Sequence, residues 1–372
     1  MAQSKPSNVS KEPKRSRRRV DSASLLTLPG VVLVLVGELA VRVSPSWFPW
    51  LAPFGLTYGL GWMLLAAGVI WRVVSFKWIR AAFPLLVLVA TWPSFMLVFS
   101  LGLGTTALPE DETQAWGVLS FNVRRLDEYN WLKGDQTRRD LATWLSSRQE
   151  EVWCLQEFPK NGKSVLQESG FAWSSSGRKL LGWPNGSGPA VATTFPVKSW
   201  TTWMFPDEAG RGRVLEADLE TPSGTVRVFN VHLQSLYFSH ADYAAVEDGP
   251  SRQEGLRLLG LVTKASEARA AQAKELKKRM DDSPYPVVLA GDFNDTPMSY
   301  AVRQLRQGRV RDAFEAATLG LGGTHIGTVP GLRIDGVLVD TTLVVHKQET
   351  HGVILSDHHP VTAFVGSGVD LD

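Results

Sequence analysis

The chain has 372 residues, 44% of them hydrophobic, with a formal net charge of +2. That length exceeds one small domain, and the apolar content is ordinary for a globular protein. The single cysteine, Cys154, excludes an internal disulfide and a cysteine-based metal cluster, and its apolar surroundings mark it as a small buried hydrophobe.

Charge is unevenly distributed. Residues 1–115 carry 11 basic and 6 acidic side chains, whereas residues 116–372 carry 28 and 31. Residues 1–21 form a polar tail in which Lys11, Lys14, Arg15, Arg17, Arg18 and Arg19 cluster. Three apolar segments follow within residues 22–108. The first, about Ser24 to Val43, is interrupted by Glu38 and Arg42, whose i, i+4 spacing lets them pair on one helix face. The second, about Phe54 to Trp71, has no charged residue, and nothing charged occurs from Ala81 to Pro109. Apolar runs near 20 residues fit a bilayer core, and in series they argue against buried helices of a soluble domain. The segment 44–53 lacks Lys and Arg, the segment between the second and third runs holds Arg72, Lys77 and Arg80, and the linker 109–115 is acidic. The positive-inside rule therefore predicts a cytoplasmic N-terminal tail, three transmembrane helices and an extracytoplasmic remainder, anchored in the cytoplasmic (inner) membrane.

From residue 116 to 372 the pattern becomes short β-like runs alternating with helical ones, which predicts a layered α/β domain. Strands are expected over 118–123, 152–156, 189–194, 214–219, 225–231, 287–290, 334–339 and 360–365. Helical spacing covers 136–149 and the long polar stretch 252–280; the insert over about 239–280 is read as a solvated surface helix, with a lid near anionic head groups as the alternative.

Polar groups gather where those strands end. Asn122 lies in Ser-Phe-Asn-Val, Glu157 in Leu-Gln-Glu, His232 in Asn-Val-His-Leu-Gln-Ser, and Asp292 and Asn294 in Gly-Asp-Phe-Asn-Asp-Thr-Pro. Asp335 lies in Arg-Ile-Asp-Gly-Val-Leu-Val, and Asp357 and His358 in Ser-Asp-His-His-Pro-Val. Each alone has a bland reading, such as a cap, a turn or a satisfied core histidine. Together they are hard to explain by folding, because ionisable groups at the ends of buried strands are costly unless paired or metal-bound. Asp292 and Asn294, two apart in extended chain, are expected to point the same way.

These six motifs, in this order across about residues 117 to 366, resemble the endonuclease/exonuclease/phosphatase family of DNase-I-like metal-dependent phosphoesterases, and with the N-terminal spans its membrane-anchored bacterial branch. The resemblance implies a four-layered α/β sandwich, two packed sheets flanked by helices. It implies metal binding by Glu157, Asn122 and Asp357. Asp292 would activate or orient the attacking water, Asn294 hold the phosphate, His358 and His232 face the phosphoryl oxygens, and Asp335 orient an active-site histidine. Oxygen donors of this kind favour Mg²⁺ or Mn²⁺ over Zn²⁺. The expected activity is hydrolysis of a phosphate ester by an activated water, without a covalent nucleophile, so Ser120 and Ser356 are read as structural. Tethering beside a bilayer raises the effective concentration of membrane lipids, which points to a lipid-linked or small phosphodiester substrate and to no protein partner. A nuclease is the alternative, disfavoured by the slightly acidic catalytic region. A non-catalytic membrane receptor or scaffold retaining the fold is the second.

Overall fold

The computed structural model describes residues 22–103, 115–206, 211–236, 248–317, 319–327 and 331–367, with positions 242 and 245. The basic tail 1–21 and positions 109–114 of the acidic linker lie outside the described residues.

Two helices are long and apolar enough to cross a membrane, α1 (Ser24–Arg42) and α3 (Trp78–Phe95). Between them a 3-10 helix (Pro49–Gly55) meets α2 (Tyr58–Val74) at a 58° bend, so the expected second span is a bent pair rather than one straight helix. Pro49 opens the 3-10 helix, and Pro53 lies inside it, where it cannot donate to a helical ladder. Glu38 does pair with Arg42 one turn on, and its other oxygen accepts from the Tyr58 hydroxyl of α2 at 3.0 Å. Small residues let α1 and α2 approach closely: a Cβ on Gly30 would lie 2.6 Å from the Leu65 backbone nitrogen.

The rest of the chain folds as two mixed six-stranded sheets. The strands in chain order are β1 (Ala115–Asn122), β2 (Val152–Pro159), β3 (Lys179–Leu181), β4 (Ser187–Thr193), β5 (Val197–Met204), β6 (Arg213–Thr221), β7 (Gly224–His232), β8 (Val287–Asp292), β9 (Val310–Asp312), β10 (Asp335–Asp340), β11 (Leu343–Thr350) and β12 (Val361–Ser367). One sheet runs β11-β12-β1-β2-β4-β3 and the other β5-β6-β7-β8-β10-β9. Central strands are covered on both faces, so they read as continuous apolar runs. Val118, Cys154, Val228, Val288, Ala290 and Val337 fill the layer between the sheets. The alternate positions Leu119, Phe121, Trp153 and Leu155 pack outward against α4 (Asp135–Ser146) and α5 (Gly162–Glu168). Phe229, Val231, Val287 and Leu289 pack against α6 (Arg252–Asp281) and α7 (Tyr300–Arg306). The result is the expected four-layered α/β sandwich.

Helix α6 starts on a Ser251–Glu254 capping box. The expectation of a solvated helix is corrected here: Ala270, Ala273, Leu276 and Met280 are buried, because they recur at three- and four-residue spacing and form one apolar face on the second sheet.

The apolar helices are joined to this sandwich by specific contacts. Met298 is buried in one cluster with Val34, Val41, Tyr58 and Leu65. Arg333 donates to the Leu97 carbonyl just after α3 at 2.9 Å and to both oxygens of buried Asp312 at 3.2 and 2.9 Å. Burial works against the Asp312 carboxylate, yet the Arg333 and Arg306 guanidiniums hold it below the usual carboxylate range. A carboxylate depressed in this way stabilises the fold fully above its unfolded pKa of about 4, and that contribution is lost as pH falls through the folded value. Asp312→Asn strands the Arg333 charge, a loss of about 3–5 kcal/mol. The unfolding midpoint of the full chain in detergent at pH 7 is expected to drop by on the order of 10 °C, with the difference from wild type shrinking at strongly acidic pH.

Candidate active site

The site is the edge of the inter-sheet layer. In β1 the inward series runs Trp116, Val118, Ser120 and Asn122; in β7 it runs Val226, Val228, Asn230 and His232; in β8 it runs Val288, Ala290 and Asp292. Period-two alternation therefore delivers Asn122, His232 and Asp292 to the same side as the core. Strand pairing sets them level, with His232 opposite Asp292 and Asp335 opposite Asp292. Gly291 permits the approach of β7: its positive φ of 154° is open to glycine, and a Cβ there would sit 2.1 Å from the Val231 carbonyl oxygen.

One step below this edge lies a buried amide clamp. Gln156 Nε2 donates to Asn230 Oδ1 across the sheets at 2.8 Å and to Ser120 Oγ at 3.3 Å. Asn230 Nδ2 donates back to the carbonyls of Leu155 and Ala190 at 3.0 and 2.7 Å. Ser120 is thus bonded within the structure.

Glu157 breaks the alternation. Leu155 faces outward, so regular strand geometry would turn Glu157 outward too. Instead the β2–β4 register shifts between Leu155 and Phe158, and Glu157 takes a left-handed φ of 52°. The bulge brings its carboxylate to 3.4 Å from Asn122 Nδ2 and 3.8 Å from His232 Nε2. Asn122 Nδ2 also donates to Asp292 Oδ2 at 3.0 Å. Asp292 and Asn294 do reach one pocket, but the extended geometry expected for them is corrected. Asn294 has φ 50°, its backbone nitrogen donates to Asp292 Oδ1 at 2.8 Å, and its side chain donates to the Leu233 carbonyl. The turn chemistry of Asp and Asn operates here together with the convergence on the pocket.

His358 precedes β12, and its Nδ1 lies 2.8 Å from Asp335 Oδ2, joining the two sheets. Its Nε2 lies 3.8 Å from Asp292 Oδ2, and His232 Nε2 lies 3.6 Å from the same oxygen. Burial alone would push the His358 imidazole down. The Asp335 and Asp292 carboxylates more than offset this and raise its pKa to about 10, which favours an imidazolium that donates to Asp335.

Asn122, Glu157, His232, Asp292, Asn294, Asp357 and His358 line one cleft of about 290 Å³, and Asp335 sits behind His358. The structure therefore brings all eight expected residues together. Ligand atoms of Asp292, Asp335 and His358 lie within 4.8 Å of one another, and the buried Asp335 Oδ1 has no hydrogen-bond partner. Glu157, Asp292 and Asp357 place three carboxylates on the cleft itself, a donor set that fits a hard cation. Asp357, expected in the metal shell, is at the same time held by Arg124 at 3.0 Å.

Several contributors escape sequence reasoning. Arg124 opens a turn in which Arg124, Arg125, Leu126 and Asp127 all have φ between 40 and 57°. Asp127 accepts from the Leu132 and Gly134 nitrogens, and Arg138 donates to the carbonyls of Leu126 and Asp127, which fixes that left-handed turn. His325 lines the cleft with its ring centroid 5.4 Å from that of His358; burial and the neighbouring imidazolium push its pKa down. Arg269 of α6 binds Asp295 at 2.8 Å and the Gln234 carbonyl at 3.0 Å, bracing the loops on either side of the site. The proximity of Arg124 and His325 to sequence motifs is the one signal that pointed toward them.

The endonuclease/exonuclease/phosphatase family model matches residues 119–358. No curated protein matches the sequence at a significant level. Among solved structures, an endonuclease/exonuclease/phosphatase family protein from Bacteroides thetaiotaomicron is 16% identical, covers 68% of this chain and 98% of its own, and superimposes with a TM-score of 0.54. One from Bacteroides vulgatus gives 18% identity, 68% and 99% coverage and a TM-score of 0.52. A humanized D. rerio TDP2 gives 17%, 68% and 100%, with a TM-score of 0.50. At these identities the likeness is one of fold.

Saturating Mg²⁺ or Mn²⁺, at about 100 times its Kd, is expected to stabilise the full chain in detergent by about 2.7 kcal/mol. Glu157→Gln is expected to remove most of that gain, read as the metal-dependent shift in unfolding midpoint.

Proposed function

The chain belongs to the endonuclease/exonuclease/phosphatase family, and from that premise we propose a membrane-anchored, Mg²⁺- or Mn²⁺-dependent phosphoesterase, its catalytic domain extracytoplasmic, acting on a lipid-linked or small phosphodiester. Hydrolysis of phosphate ester bonds with a divalent metal comes with the family. The membrane reading is supported above all by one observation: the cleft that holds the catalytic groups is also lined by Ala52 and Leu56, from the segment joining the first two apolar helices.

Glu157 and Asn122 hold the ion in this reading, with Asp357 completing its surroundings. When bound, the ion neutralises the anionic ester and the charge that builds on the phosphoryl oxygens. Asp292 orients the attacking water and takes its proton; the bonds from Asn122 and the Asn294 nitrogen fix that carboxylate. His232 and His358 place their Nε2 atoms on the same Asp292 oxygen, where both can donate to a phosphoryl group beside it. Asp335 keeps His358 charged and oriented, and Asn294 contacts the phosphate. One P–O ester bond breaks, one forms to the water oxygen, and the released alcohol takes up a proton.

Assays with Mg²⁺ or Mn²⁺ on lipid phosphates, nucleotides and DNA decide the substrate class, and turnover of DNA alone overturns it. Asp335→Asn is expected to lower kcat about 100-fold or more with little change in KM. No turnover by wild type, and no effect of Asp292→Ala, would favour a receptor. Digestion of the 116–372 domain by external protease in spheroplasts tests the orientation.

A further inference from the structure

The cleft has two chemical halves. Its floor is carboxylate, amide and imidazole, while Ala52, Leu56, Leu236, Val262, Leu332 and Ile334 line it with apolar surface. Two of these six come from the membrane connector and one from α6, which crosses against that connector.

The connector is fixed in place. A Cβ on Gly55 would fall 2.1 Å from the Met298 carbonyl oxygen, so the backbones of anchor and catalytic domain meet with no room for a side chain. Met298 itself is 1% exposed within the cluster of α1 and α2 side chains. The same connector turns Trp47, Phe48 and Trp50 outward at 78, 61 and 59% exposure. Exposed aromatic rings at the ends of apolar helices sit at head-group depth. Phe76 and Trp78 form the matching group at the opposite end of α2 and α3. In the membrane-anchored reading, these rings set the connector, and the apolar side of the cleft that it lines, near the bilayer surface.

The geometry points to the Ala52, Leu56 and Val262 side of the cleft as a seat for the alkyl chain of a bilayer-resident lipid phosphate, whose phosphoryl group lies on the floor beside Asp292 and His358. This rests on the phosphoesterase reading of the floor and narrows the substrate to an ester carrying a hydrocarbon chain. A hydrophilic ester leaves that surface wet, whereas an alkyl chain removes it from water at about 25 cal/mol per Å². The lipid enters sideways from the leaflet, and its chain need not leave the bilayer entirely.

The test uses the full chain in detergent with Mg²⁺ and a series of 4-nitrophenyl alkyl phosphate diesters, kept below their micelle concentrations. Release of 4-nitrophenol reports the same chemistry throughout. Wild type is expected to gain about two- to fourfold in kcat/KM per added methylene until the seat is filled. Ala52→Asp and Val262→Asp, on two separate elements, are expected to cut the ratio of long- to short-chain kcat/KM at least tenfold. Because the ratio is taken within one preparation, partial misfolding does not mimic this result. A flat wild-type series overturns the chain seat while leaving the phosphoesterase reading intact, as does an unchanged ratio in both variants. Absence of turnover for every ester, together with inert lipid phosphates and nucleotides, removes the reading beneath it as well.

Discussion

Four carboxylates, Glu157, Asp292, Asp335 and Asp357, are forced to one edge of a dry inter-sheet layer, and everything around them answers that crowding. Like charges brought together in low dielectric repel strongly, and burial raises the cost of Asp292 and Asp335 further. The protein compensates with His358 on Asp335, Arg124 on Asp357 and the Asn122 amide between Glu157 and Asp292. What remains unbalanced is the charge a divalent cation supplies. The Asp335–His358 bond joins β10 of one sheet to a residue three positions before β12 of the other, so the site depends on the sheets holding their relative position. The Gln156–Asn230 clamp beneath it serves that end: two fully buried amides with partners on both sheets tolerate little slippage.

Backbone strain concentrates at the same edge. Glu157, Asn294 and the four residues from Arg124 to Asp127 all have positive φ, a cost of about 1–2 kcal/mol for each non-glycine residue. Such conformations persist where the surroundings over-determine them. Asp127 and Arg138 fix the turn after β1, and the β2 bulge is pinned by strand pairing on both sides. The strain thus aims Glu157 and Arg124 in advance of any ligand, the arrangement that electrostatic catalysis requires.

The apolar N-terminal helices pack as part of the catalytic body. Met298, Arg333 and Ser100 each join the apolar N-terminal region to a strand or loop of the sandwich. Arg333 stands two residues before Asp335, so the end of α3 and the catalytic carboxylate are referenced to one side chain.

The sequence by itself determined the fold class, the inner strands, the long helix over 252–281 and the identity of the eight convergent residues. Inner strands were legible because burial on both faces demands unbroken apolar runs, and the site residues because polar groups ending such runs need a purpose. The four edge strands β3, β5, β9 and β11 were not legible. An edge strand has solvent on one side, and β5 (Val-Lys-Ser-Trp-Thr-Thr-Trp-Met) is mostly exposed, so it shows no apolar run. Only the tertiary structure decided that Glu157 turns inward, that Arg124 meets Asp357, that α6 is buried along one face, and that Ala52 and Leu56 wall the cleft. Period and composition are local properties of a chain. A bulge held by its neighbours, a long-range ion pair and a shared cavity wall depend on residues about 30 to 300 positions apart, whose meeting no local pattern encodes.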